Sequence, residues 1–93
     1  MIKTRGTKNG LVTVTWVLPA DVHEGPVSVV GCFNDWTPGR HVLGKRSNGT
    51  RSASFTSQPG TAIRFRYLGH GGHWFSDPET THEGPNGVII AEI

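Results

Sequence analysis

Leu11-Val12-Thr13-Val14-Thr15-Trp16-Val17-Leu18 alternates apolar and hydroxyl side chains, with Val12, Val14, Trp16 and Leu18 set against Thr13 and Thr15. A period of two is that of a β-strand with one face buried, and Val and Thr fit a pleated surface well. Trp16 falls on the apolar face and is assigned to the core. The same period recurs downstream. Residues 61–68 put Ile63, Phe65 and Tyr67 on one face and Arg64 and Arg66 on the other. Residues 51–56 put Ala53 and Phe55 inward and Ser52 and Ser54 outward. Residues 27–33 are apolar on both faces, as a covered central strand should be. Shorter strands are expected at 41–45, around 73–75 and at 88–93. Asn48-Gly49 is a hairpin signal and Gln58-Pro59-Gly60 a turn. No helical period of useful length and no internal repeat interrupts this pattern. The reading is an all-β, immunoglobulin-like two-sheet β-sandwich of about seven strands, with a small open barrel as the alternative.

Composition agrees. The chain has 93 residues, enough for one domain, and its 13 glycines and 6 prolines fit many short strands better than a few helices. Lys3, Arg5 and Lys8 contribute to the net charge of +2, and residues 1–10 are expected to be a flexible, solvated arm. No basic stripe is interleaved with aromatics, so no nucleic-acid partner is expected. The N-terminal residues lack the apolar core of a signal peptide, and no stretch approaches a membrane span. Cys32 is the only cysteine, which excludes an internal disulfide and points to a reducing, cytoplasmic setting. Its place in a doubly apolar strand predicts a shielded thiol in a monomeric protein.

The ends of two strands carry the chemistry. Val29-Val30-Gly31-Cys32-Phe33-Asn34-Asp35-Trp36 runs from a strand into the turn formers Asn34, Asp35, Pro38 and Gly39, so Trp36 sits on a turn. Phe65-Arg66-Tyr67-Leu68 runs into Gly69-His70-Gly71-Gly72, and Trp74 follows directly. Each indole is either a lid folded back on the core or an exposed apolar platform of the kind on which a sugar ring packs. Arg66 points away from the core. Alone it reads as a solvated strand residue, and with both indoles nearby as a hydrogen-bond donor to a ligand.

These segments, together with Asp77-Pro78, resemble the glycogen-binding carbohydrate module of family 48, also described as the isoamylase N-terminal or early set domain, from about Val12 to Ile93. The resemblance implies non-catalytic binding of an α-1,4-linked glucan such as glycogen, starch or a maltooligosaccharide. It makes Trp36 and Trp74 the stacking platforms, places Arg66 where a relative has a hydroxyl-binding lysine, and aligns Asn86 with a glucan-contacting asparagine. Asn86, in Pro85-Asn86-Gly87, is on its own a turn former. Relatives often have a polar or acidic residue where Cys32 stands, and some pack on a partner domain without binding glucan. A protein-interaction or regulatory sandwich, working with a glycan-metabolising enzyme or regulatory protein, is therefore the alternative.

Other chemistries find little footing. His70 and His73 flank Gly71-Gly72 without a carboxylate or thiolate at a ligand spacing, so neither metal nor cofactor is expected. No nucleophile elbow occurs. Asp35 and Asp77 lie beside turns, where both have turn-stabilising roles, and a small sandwich offers no deep cleft for a carboxylate pair. The chain is read as non-enzymatic.

Overall fold

The computed structural model describes residues 1–92, which form two antiparallel sheets packed face to face. In one sheet β1 (Ile2–Gly6), β2 (Val12–Pro19), β5 (Thr50–Ser57) and β4 (Gly44–Lys45) lie in the order β1-β2-β5-β4. In the other, β3 (Val27–Gly31), β6 (Ala62–Gly69), β9 (Asn86–Ile90) and β8 (Thr81–Glu83) lie in the order β3-β6-β9-β8, and β7 (His73–Phe75) also pairs with β6. The two-sheet sandwich is the architecture expected from the alternation, with nine strands rather than seven among the described residues.

The added strands have local causes. Residues 1–10, expected as a flexible arm, instead form a hairpin arm. Ile2 pairs with Trp16 and Gly6 with Val12. Gly10 closes the turn at φ 75°, a conformation costly for any residue with a Cβ, and the Thr7 hydroxyl accepts from the Leu11 N–H at 3.1 Å. Asn9-Gly10 is the same hairpin signal as Asn48-Gly49. The last strand starts at Asn86, two residues earlier than expected, because β8 pairs with it across Gly84-Pro85. Ile93, the expected end of that strand, lies outside the described residues.

Val12, Val14 and Trp16 from the first sheet and Val27, Val29, Ile63, Phe65 and Tyr67 from the second are buried and form the core. Trp16 is fully buried, as the alternation predicts, and its ring stacks on Phe33 at 5.0 Å and meets Phe65 edge-on at 5.5 Å. Arg51 has the same parity as Ala53 and Phe55 and is only 2% exposed. Its guanidinium donates to the carbonyls of Ala20, His23 and Gly25 at 2.6 to 2.9 Å, so one side chain pins the connection between β2 and β3.

β3 is shorter than the expected 27–33. A Cβ at Gly31 would collide with the Arg64 carbonyl oxygen of β6, so that close approach requires glycine, and the chain then leaves the sheet in a 3-10 turn, Cys32–Asn34. Cys32 is consequently exposed rather than shielded. The inward position passes to Phe33, which packs on Trp16 and, at 4.9 Å, on Phe55.

Candidate functional site

The outer face of the second sheet brings together Arg66 and Trp74, two of the residues singled out by the sequence. Alternation along β6 sends Arg64, Arg66 and Leu68 outward. Across this face Arg66 is in register with Val30 on β3, and Leu68 with Ser28 on β3 and Trp74 on β7. The register of β6 with β9 ends at Phe65 opposite Gly87, so Asn86 is one step further along, beside Arg66 and on the same face. Arg66 and Trp74 therefore meet, and Asn86 lies one step beyond the last β6–β9 pair.

Arg64, the adjacent outward cation, is occupied. Its Nε donates to Glu83 Oε1 at 2.9 Å and its Nη2 to Oε2 at 3.3 Å. This hydrogen bond, and then the attraction between the charges, holds the Glu83 carboxyl below its usual range. Arg66 differs. Its guanidinium lies over the Trp74 ring at 5.5 Å, its Nε is buried without a hydrogen-bond partner, and among the described residues no carboxylate is within ion-pairing distance. A cation over an indole is worth roughly 0.5–1 kcal/mol at an exposed site. It holds the guanidinium in place while leaving N–H groups free to donate.

Trp36 is anchored at the other end of β3, where its N–H donates to the Gly31 carbonyl at 2.9 Å. From this anchor to Trp74 is three residues along β6, about 10 Å, and two strand spacings across, also about 10 Å. Trp36 is 39% exposed and Trp74 42%. Neither belongs to the core nor is among the partly buried hydrophobics packed on it.

The Trp36 turn is strained and deliberately held. Asp35 and Trp36 adopt φ of 54° and 55°, the left-handed region, which costs about 1–2 kcal/mol per non-glycine residue. Asn34, only 4% exposed, offsets this cost. Its Oδ1 accepts from the Gly31 N–H at 3.0 Å, and its Nδ2 donates to the Val29 carbonyl at 3.1 Å and to His41 Nδ1 at 3.0 Å. With Nδ2 as donor, His41 must accept, so its ring is neutral with the proton on Nε2. Burial first, then the Arg40 charge, lowers the His41 pKa in the same sense. Asn34 reads in sequence as a turn former only. Its buried role depends on His41, whose carbonyl also accepts from the Val29 N–H on the edge of β3.

The other candidates have structural employment. Asp77 is buried and accepts from the Tyr67 hydroxyl at 2.7 Å and the Glu79 N–H at 2.8 Å, the turn-stabilising role expected of it. Burial first, then this bond, raises the Tyr67 hydroxyl far above the ordinary tyrosine range. His23 stacks on His73 at 5.4 Å with its Nε2 3.1 Å from the His70 carbonyl. Among the described residues no group of three or more His, Cys, Asp or Glu side chains is placed to hold a metal ion, and no helix is long and apolar enough to cross a membrane. No protein-family model matches the chain, and no curated protein matches it in sequence.

Proposed function

We propose that this protein binds an α-1,4-linked glucan without catalysis, on the outer face of the second sheet. The observation that carries the reading is the pair of half-exposed indoles, with Arg66 seated on one of them and its Nε without a hydrogen-bond partner among the described residues. Trp74 and Trp36 stack on sugar faces, Arg66 donates to hydroxyl oxygens, and Asn86 beside it adds a second polar contact. Each ring contributes about 1 kcal/mol beyond area burial. An open two-ring site therefore binds weakly, in roughly the micromolar to millimolar range. Such affinity suits a targeting module that rebinds along a polymer and brings a glycan-metabolising enzyme to it. The exposed Cys32 thiol belongs with a reducing cytoplasm.

Affinity electrophoresis in glycogen-containing gels, with tryptophan fluorescence titrations of maltoheptaose and β-cyclodextrin, tests this. Wild type is retarded and its emission shifts on sugar addition. Trp36→Ala and Trp74→Ala each weaken binding about tenfold, roughly 1.4 kcal/mol. If wild type migrates freely and ignores millimolar β-cyclodextrin, the glucan reading fails. The same face then serves a protein partner, since exposed Trp and Arg are also what interface hot spots are made of.

A further inference from the structure

The edge strand β1 separates two surfaces that complement each other chemically. On the solvent side of its sheet, Lys3 and Arg5 stand opposite Thr15 and Thr13, in a concave surface that also includes Arg46 and Ser52 and contains no carboxylate. Residues 1–19 and 36–76 contain no Asp or Glu at all. On the other side, Ile2 and Thr4 border a groove of about 440 Å³ lined also by Val88, Ile89 and Ile90 and by the carboxylates of Glu79 and Glu92, so it takes aliphatic side chains and disfavours acidic ones. Thr4 is exposed although its side chain takes the inward parity, so nothing covers this part of the groove.

The backbone of β1 is unpaired on the same edge. Met1 exchanges hydrogen bonds with Val17, and the Thr7 N–H donates to Leu11. Bonded pairs alternate in an antiparallel ladder, so Lys3 and Arg5 bond to β2 while the N–H and C=O groups of Ile2, Thr4 and Gly6 face outward.

We infer that β1 is a docking edge for an extended peptide that alternates acidic and aliphatic residues. Added as an antiparallel strand, such a peptide pairs its backbone with Ile2, Thr4 and Gly6. Its carboxylates fall opposite Lys3 and Arg5, and its aliphatic side chains, on the other parity, enter the groove against Ile2 and Ile89. Charge selects this occupant over a second copy of the chain. Two β1 strands paired antiparallel about Thr4 set Lys3 of each against Arg5 of the other, a like-charge contact of the sort that keeps natural edges apart. The surface has no exposed aromatic ring among its lining residues on which a nucleic-acid base stacks.

The probe is a fluorophore-labelled, end-capped Val-Glu-Val-Glu-Val-Glu-Val peptide. Fluorescence anisotropy is expected to show saturable binding, and amide exchange to slow at Ile2, Thr4 and Gly6. Thr4→Pro removes an N–H that the fold does not use and weakens binding about tenfold. Lys3→Glu with Arg5→Glu reverses the preference toward the Val-Lys counterpart. A peptide N-methylated at alternate residues, which loses the ladder on one register only, repeats the backbone test without altering the protein. Four outcomes overturn the inference: no saturable binding at millimolar peptide, binding indifferent both to Thr4→Pro and to N-methylation, a dimer that protects the same three amides without peptide, or duplex DNA competing equally for wild type and Thr4→Pro.

Discussion

The outer faces of the two sheets obey one alternation rule and end up with opposite chemistry. On the first sheet the outward positions of β2 and β5 are Thr and Ser, which bond to each other across the strands, Thr13 to Thr56 at 3.0 Å and Thr15 to Ser54 at 2.9 Å. That face is wet, cationic and free of exposed indoles. On the second sheet the outward row holds Leu68 and Trp74, and Val30 opposite Arg66 is fully buried. The methylene stem of Arg66 covers apolar surface while its guanidinium lies over Trp74. The difference teaches that a strand's outward residues can cover one another without exhausting their polar groups, and the proposed binding reading rests on that property.

The sharpest way to break the comparison is through the core both faces share. Trp16→Ala removes the ring that bridges the sheets and is expected to cost about 3–5 kcal/mol in denaturant unfolding. An unmoved midpoint shows that the faces are not supported by one core. Arg51→Ala comes next, at about 3 kcal/mol, because it strands the carbonyls of Ala20, His23 and Gly25. Arg51→Lys recovers little, since a single ammonium lacks the planar fork.

Asp77→Ala leaves the buried Tyr67 hydroxyl without its acceptor and is expected to cost about 2 kcal/mol. The same pair sets an alkaline limit. The folded Tyr67 pKa is raised, so above about pH 10 the unfolded chain holds fewer protons than the folded one, and stability falls as pH rises. Spectrophotometric titration should therefore show no tyrosinate until unfolding begins, and an early tyrosinate signal contradicts the buried bond.

The outer faces themselves give the small effects. Trp74→Ala and Trp36→Ala are expected to change stability by less than about 1 kcal/mol, and Thr15→Val by about 0.5 kcal/mol or less. A Trp36→Ala melt far below wild type would make that indole part of the scaffold. The smallest effect is pH-dependent. The His41 pKa is lowered on folding, so its contribution is present above the ordinary histidine value and lost as pH falls through the folded one. Protonation sets two donors, His41 Nδ1 and Asn34 Nδ2, against each other. Mild acid should perturb the amides of Gly31 and Trp36 in wild type, and His41→Phe should remove that response.

Alternation alone determined the sandwich, the buried Trp16 and the outward Arg66, because a strand's side-chain parity is set by its own backbone and needs no partner. Turn formers alone placed Trp36 on the turn after β3 and Trp74 just past the glycine turn that follows β6. The N-terminal hairpin was also legible, in Asn9-Gly10, although the charges of Lys3, Arg5 and Lys8 suggest a free arm. Other features depended on what lies across the fold. Cys32 is exposed because Gly31 meets Arg64 and ends β3 early. Arg51 is buried because three carbonyls from a distant connection converge on it. Asn34 became a buried anchor through His41, and Arg66 came to sit on Trp74 through the register of β6 with β7. Those outcomes belong to tertiary structure because each needs a partner remote in sequence, and neither period nor composition specifies which remote group arrives.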